Sequence, residues 1–196
     1  MVAEKVYVSW EEFRALERAN PDAKYEYIDG QVRLMSGGSA NHARIGLTVC
    51  GILDAALQDG PCRVYNSDLH ARLSPSRGTL PDATVTCDER DQGTVTEIQA
   101  PRVIVEVLSD STEAYDRGEK FGYYRACPTV QEYVLIATRR QTVEVFRRTP
   151  EVWTYRPYGP GDEIELESIG VTLSLSALYR LTTVPAIVPE RHGEVL

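Results

Sequence analysis

Hydrophobic residues recur every three or four positions between residues 41 and 58, which is the period of one buried helix face. Gly60-Pro61 follows this stretch and predicts its end. Near the start of the chain, Ser9 and Glu12 have the spacing of a capping box, in which each side chain accepts from the other residue's backbone amide. They predict a first helix ending near Ala19. The apolar positions of the longer helix are Ile45, Val49, Ile52, Leu53, Ala56 and Leu57.

Strand patterns fill most of the remaining chain. Tyr25–Ile28 and Gln31–Met35 flank Asp29-Gly30, a dipeptide typical of the type I′ turn of a β-hairpin. Arg102–Leu108 is almost continuously aliphatic, as in a strand buried on both faces. Further strands are predicted at Arg63–Asn66, Leu69–Leu73, Ala83–Cys87, Glu132–Ala137, Val143–Arg147 and Trp153–Tyr158.

Other segments are predicted as loops or helices. Pro75–Leu80 is rich in turn residues, and the polar stretch Asp88–Ala100 is expected to be an excursion. A helix from about Asp110 to Ala126 and a last short helix, Leu173–Leu181, complete the pattern. Because strands and helices mix without strict alternation, we expect an α/β or mixed α+β domain with one mixed sheet flanked by helices. Residues 1–182 form this domain, and residues 183–196 are expected to be a tail.

Composition is that of an ordinary globular domain. The 196 residues are 42% hydrophobic and 26% charged, with a net charge of -8. This acidic balance argues against a protein that coats nucleic acid. The charge is uneven, since residues 101–148 hold eight basic and seven acidic side chains. No signal peptide is visible and no apolar run approaches the ~20 residues of a membrane span, so we expect a soluble cytoplasmic protein without a membrane partner.

The four cysteines are Cys50, Cys62, Cys87 and Cys127. None of their spacings is that of a zinc site. We therefore interpret them as free thiols in a reducing compartment, in preference to disulfides.

Glu106 is the most informative single residue, because it interrupts an aliphatic strand. A buried carboxylate is costly unless it is paired or binds a metal; a Glu that reaches solvent or pairs with an Arg is the alternative. Asp82 begins another strand 24 residues earlier, and two such strands can lie side by side. Clustered carboxylates would then form a site for Mg²⁺ or Mn²⁺.

Lys120 follows the Glu106 strand and shares a helix face with Asp116, four residues earlier. Above a metal–carboxylate site, such a lysine could orient the attacking water or stabilise the charge of the transition state. The alternative is an ordinary surface ion pair.

These residues together resemble the PD-(D/E)XK nuclease superfamily, and more closely the Uma-type endonucleases, over about residues 7–182. The bare Pro-Asp and Glu-x-x pattern is weak, but the ordered set is specific. The matching segments are Tyr25–Gly30, Asn41-His42, Ser67–Leu69, Pro81-Asp82, Val105–Thr112, Asp116–Lys120 and Glu132–Leu135.

The resemblance implies a restriction-endonuclease-like fold and a site for Mg²⁺ or Mn²⁺. Asp82 and Glu106 would be metal ligands, with Glu26 as a further acidic ligand. The superfamily's lysine, expected two residues after the glutamate, is Leu108 here; the Uma-type family supplies it from the following helix, which matches Lys120. His42 and Asp68 match recurrent positions to which no role is assigned, although His42 could contact phosphate or cap its helix.

The leading hypothesis is therefore a Mg²⁺-dependent endonuclease that hydrolyses DNA phosphodiester bonds and acts as a homodimer, as many nucleases of this superfamily do. One alternative is a non-catalytic binding or assembly module that keeps the nuclease fold. Another is a metal-dependent phosphoesterase that acts on RNA or a different substrate.

Overall fold

A computed structural model describes residues 7–35, 37–93 and 95–186. Its helices are α1 (Trp10–Ala19), α2 (Ala40–Leu57), α3 (Glu113–Tyr115), α4 (Phe121–Ala126) and α5 (Leu175–Leu178). Its strands are β1 (Tyr25–Ile28), β2 (Gln31–Leu34), β3 (Arg63–Asn66), β4 (His70–Ser74), β5 (Arg77–Thr79), β6 (Ala83–Thr86), β7 (Glu97–Ile98), β8 (Pro101–Val107), β9 (Glu132–Ile136), β10 (Val143–Arg148), β11 (Trp153–Tyr158), β12 (Glu163–Leu166) and β13 (Val171–Ser174). A π-helical turn, Asp116–Lys120, joins α3 to α4.

The described strands form three sheets. The largest has the order β11-β10-β9-β8-β6-β3, in which β8 and β9 are parallel and the other neighbours antiparallel. A second sheet has the order β2-β1-β5-β4-β7, and β12 pairs with β13. The mixed α+β class predicted from the sequence is confirmed. The expectation of a single sheet is wrong, because the β1–β2 hairpin pairs with β5 rather than with the central strands.

Strand β8 lies at the centre of the core. Val103, Val105 and Val107 face a cluster that includes Leu53 of α2. Ile104 on the opposite face joins a second cluster with Tyr124 and Tyr133. Burial of both faces explains why this strand is almost continuously aliphatic.

The local signals near the N-terminus are confirmed. Ser9 and Glu12 form the reciprocal capping box of α1. Asp29 and Gly30 have φ angles of 48° and 83°, the positive values that a type I′ turn requires at both central positions.

Two segments differ from the sequence prediction. Strand β5 lies inside the predicted loop Pro75–Leu80, where its pairing with β1 and β4 overrides the turn-rich composition. The predicted helix Leu173–Leu181 is instead the end of β13 followed by the four-residue α5, since β13 completes a hairpin with β12.

The expectation of four free thiols is wrong for one pair: Cys62 and Cys87 form a disulfide, whereas Cys50 and Cys127 are free. Arg63 and Thr86 are register partners in β3 and β6, so the two cysteines next to them are brought face to face. Because two of the four cysteines form a disulfide, the cysteines no longer support a reducing compartment.

The chain remains packed beyond residue 182. Thr183 hydrogen-bonds to Asn41 of α2, and Val184 is buried. The boundary of the domain at residue 182 stays a prediction, and residues 187–196 of the expected tail lie outside the described residues. No helix in the described part of the chain is long and apolar enough to cross a membrane.

Candidate metal and nuclease site

The pairing of β6 with β8 brings Asp82 next to the Glu106 strand, as the sequence predicts. Ala83 is the register partner of Val105, so Asp82 and Glu106 each lie one residue from the same pair. The backbone amide of Val107 donates to Asp82 Oδ2 over 2.7 Å. The hydrogen bond holds the Asp82 carboxylate against the end of β8.

Lys120 enters the same place from the π-helical turn. Its Nζ atom lies 2.9 Å from Oε1 of Glu106, 2.9 Å from Oε1 of Glu26 and 3.5 Å from Oδ1 of Asp116. The lysine is 2% exposed, so the alternative of an ordinary surface ion pair does not describe it. Single π turns recur at functional sites, and this one directs both Asp116 and Lys120 inward.

Tyr124 forms a buried hydrogen bond with Glu106. Its hydroxyl donates to Glu106 Oε1 over 2.6 Å and lies 3.2 Å from Thr79 Oγ1. Tyr124 is wholly buried, and its contact with Glu106 is not foreseen from the sequence. The four-residue spacing from Lys120 on a continuous helical segment is the signal that could have suggested it.

Burial dominates the electrostatics of the cluster. It raises the pKa of Glu106 to about 8, against the attraction of Lys120 and with the repulsion of Asp116 and other carboxylates. Burial also raises the pKa of Asp82 and of Asp116. For Lys120, burial acts to lower the pKa, but the surrounding carboxylates outweigh it and hold the pKa well above its usual value. Lys120 is therefore a permanent cation near neutral pH.

A cavity of about 430 Å³, the central cavity, opens beside this cluster. Asp82, Glu106, Asp116 and Lys120 all line it. Glu26 does not line it and contacts Lys120 from within the protein, where its Oε1 also accepts from the amide of Leu80. The first turn of α2 forms part of the cavity wall.

The two residues without an assigned role are placed differently. His42, in the first turn of α2, lines the central cavity with Nε2 3.5 Å from Asp82 Oδ2. The side chain that caps α2 is Ser39, not His42. Asp68 does not line the cavity; its side chain is 67% exposed and pairs with Lys24 over 2.7 Å. Lys24 itself does line the cavity.

The donor chemistry of the cluster fits a divalent cation. Three buried carboxyl groups surround a single ammonium group, so full ionisation would leave two buried negative charges uncompensated. Such charge must be met by protons or by a cation, and carboxylate oxygens are the ligands of Mg²⁺ and Mn²⁺. Within residues 7–35, 37–93 and 95–186, no group of three or more His, Cys, Asp or Glu side chains is placed so that it could hold a metal ion as it stands.

Comparison with known proteins assigns the family. The profile of the Uma2 family, described as "Putative restriction endonuclease", matches residues 10–177. The chain belongs to the Uma2 family. The match covers α1, the β1–β2 hairpin and the residues Glu26, Asp82, Glu106, Asp116 and Lys120.

Two Synechocystis proteins (strain ATCC 27184 / PCC 6803 / Kazusa) are similar to this Uma2 chain. The uncharacterized protein slr1290 is 38% identical over 176 residues, 89% of each chain. The uncharacterized protein sll1609 is 33% identical over 131 residues, 64% of this chain and 72% of that protein. The crystal structure of "a putative nuclease belonging to DUF820" from Anabaena variabilis ATCC 29413 superimposes with a TM-score of 0.71. At 20% identity, over 88% of this chain and 97% of that one, it shows a shared fold.

Proposed function

We propose that this Uma2 chain is a divalent-metal-dependent endonuclease that hydrolyses phosphodiester bonds in DNA. The observation that carries the proposal is the convergence of Asp82, Glu106 and Lys120 on one cavity. Asp82 lies just before β6, Glu106 lies in β8 and Lys120 lies in the π-helical turn. The burial of Glu106 and Lys120 gives no stability that apolar residues could not give.

Asp82 and Glu106 are the residues that would hold Mg²⁺ or Mn²⁺. A bound ion of this kind lowers the pKa of water and offsets charge on a phosphoryl group. The Val107 amide fixes Asp82, and the Tyr124 hydroxyl fixes Glu106, so both carboxylates are oriented before any substrate enters. Preorganised groups of this kind favour the transition state without reorganisation during the reaction.

Lys120 acts as a cation and hydrogen-bond donor rather than as a base. Its raised pKa keeps the ammonium protonated, so it cannot accept a proton from water near neutral pH. It can donate to a phosphate oxygen as negative charge develops there. Glu26, which contacts Lys120 but not the cavity, holds the ammonium in position.

The substrate approaches from the side of α2 and Lys24. His42 and Lys24 line the central cavity together with the carboxylates. Cationic and hydrogen-bonding groups at this wall suit a phosphate, while the acidic chain as a whole disfavours tight coating of DNA. Cleavage of both strands would need two copies, and we propose a homodimer for that reason.

The test is cleavage of supercoiled plasmid DNA in Mg²⁺, Mn²⁺ or EDTA, with single-stranded DNA and RNA as parallel substrates. We expect metal-dependent nicking by the wild type and its loss in Asp82→Asn. Asp68→Asn is the matched control, since it removes an exposed carboxylate outside the cavity. Equal cleavage by the wild type and Asp82→Asn would overturn the proposal, and cleavage confined to RNA would transfer it to that substrate.

A further inference from the structure

Asp116 has a buried carboxylate oxygen, Oδ1, that lacks a close hydrogen-bond donor. The residue is 2% exposed, and its Oδ1 atom has no hydrogen-bond partner. Lys120 is its nearest cation, but Nζ stands 3.5 Å from Asp116 Oδ1 and only 2.9 Å from Glu26 and Glu106. The Lys120 ammonium therefore pairs closely with Glu26 and Glu106 and only loosely with Asp116.

The location of this oxygen sets it apart from other buried side-chain atoms without partners. In the described part of the chain those atoms belong to Arg44, Arg72, Thr84 and Tyr115. None of these four residues lines the central cavity, whereas Asp116 lines it together with Asp82 and Glu106. A buried carboxylate oxygen without a close hydrogen-bond donor, placed at a cavity wall, would be stabilised by a positively charged ligand.

The backbone of Asp116 is held firmly enough to aim that oxygen. Its amide donates to the carbonyl of Thr112 over 2.9 Å, and its carbonyl accepts from the hydroxyl of Tyr133 over 3.0 Å. The second contact uses the carbonyl of the first residue of the π-helical turn. Glu26, the third acidic ligand implied by the family resemblance, is committed instead to Lys120 and the amide of Leu80.

We infer that Asp116 is the third carboxylate ligand of the cation site, beside Asp82 and Glu106, and that Glu26 is a positioning residue for Lys120. This inference rests on the proposed function, because it takes the cation site as given. It assigns the oxygen ligands of Mg²⁺ or Mn²⁺ to the residue before β6, to β8 and to the π-helical turn.

Titration calorimetry with Mn²⁺ tests the assignment without relying on activity. We expect Asp116→Asn to weaken Mn²⁺ binding about tenfold or more, the scale on which support of a metal site is lost. Glu26→Gln should weaken it less. Glu119→Gln is the matched control in the same helical turn, because its carboxylate is exposed and pairs with Arg33; it should bind Mn²⁺ as the wild type does.

Measurement of the unfolding free energy shows whether Asp116 binds the metal ion or only supports Lys120. Without metal, Asp116→Asn should be at least as stable as the wild type, since the change removes a buried charge that Lys120 pairs only incompletely. Added Mn²⁺ should then stabilise the wild type more than the variant. A variant that is less stable but binds Mn²⁺ as tightly as the wild type would show that Asp116 only supports Lys120.

Asp82→Asn distinguishes the failure of this inference from failure of the proposed function. If Asp82→Asn loses Mn²⁺ binding and Asp116→Asn keeps it, only the assignment of Asp116 is wrong. If the wild type binds no Mn²⁺, or binds it equally well after Asp82→Asn, the proposed metal site itself fails and the assignment fails with it.

Discussion

The Lys120 ammonium lies 2.9 Å from Glu106 Oε1, although the two residues are 14 positions apart and belong to different elements. Both side chains are almost wholly buried. A buried ion pair of this kind adds little net stability, but loss of one partner leaves the other uncompensated. The pair therefore makes the stability of the fold depend on a group that the proposed reaction also uses.

Replacement of Lys120 by Met should destabilise the protein by about 3–5 kcal/mol at pH 8, because Glu26, Glu106 and Asp116 lose their shared cation. Without the ammonium, the pKa values of Glu106 and Asp116, which burial already raises, rise further in the folded state. The folded chain then binds more protons than the unfolded chain, so stability falls as pH rises. The deficit should accordingly shrink at pH 5, as measured by urea unfolding at both pH values.

Lys24→Met is the matched control for that experiment. Lys24 pairs with Asp68 at the surface, and loss of an exposed pair costs about 0–1 kcal/mol. Lys120→Met combined with Glu106→Gln should recover part of the lost stability, since it removes one unpaired charge. Wild-type stability of Lys120→Met at pH 8 would contradict the buried pairing.

Local patterns were sufficient to predict the parts of the site that depend on neighbouring residues. The capping box of Ser9 and Glu12 and the Asp29-Gly30 turn depend on spacing alone. The proximity of Asp82 and Glu106 followed from two adjacent strand patterns joined by a short excursion. Burial of both faces of β8 could be predicted because its nearly continuous aliphatic sequence has no polar face.

Contacts between residues that are distant along the chain could not be predicted from local sequence patterns. The division of the strands into separate sheets depends on β5 pairing with β1, about 50 residues away along the chain. The Cys62–Cys87 bridge depends on the register of β3 against β6. The contact of Tyr124 with Glu106 depends on how the π-helical turn orients the following helix, which the four-residue spacing from Lys120 does not by itself determine.

His70 should make the protein less stable in mild acid. Burial lowers the pKa of His70 from 6.5 to about 4. Its Nε2–H donates to the carbonyl of Tyr25, and Nδ1 accepts from Arg14, so the neutral ring is fully satisfied. Between pH 6.5 and 4 the unfolded chain binds more protons than the folded chain, so stability falls with pH, by up to about 3 kcal/mol for a shift of this size.

Urea unfolding from pH 7 to pH 4 checks this expectation when wild type and His70→Gln are compared. The variant should lack the acid loss that the histidine causes, although its stability at pH 7 is lower. Titration of the His70 ring by NMR gives an independent measure. A ring that titrates near pH 6.5 in the folded protein would contradict the expectation.

The Cys62–Cys87 disulfide should contribute about 3.5 kcal/mol, the value expected from loop-closure entropy for residues separated by 25 positions. We expect Cys62→Ala/Cys87→Ala to lower the unfolding free energy by about this amount, and Cys50→Ala to leave the bridge intact. Thiol counting in denaturant should give two free thiols before reduction and four after it. Four thiols before reduction, in protein purified without reductant, would show that the bridge does not form.

Gly38 and Gly37 offer a matched pair that tests the place of His42 beside Asp82. A Cβ atom at Gly38 would lie 2.5 Å from Cγ and 2.9 Å from Cβ of His42, whereas one at Gly37 would meet nothing within 4 Å. Gly38→Ala should therefore push the His42 ring away from Asp82, to which Nε2 now stands 3.5 Å. We expect Gly38→Ala to lower metal-dependent cleavage as strongly as His42→Ala, while Gly37→Ala keeps wild-type cleavage. Because both glycines lie in the loop before α2, a general effect on that loop would reduce cleavage in both variants equally and would count against a role for His42.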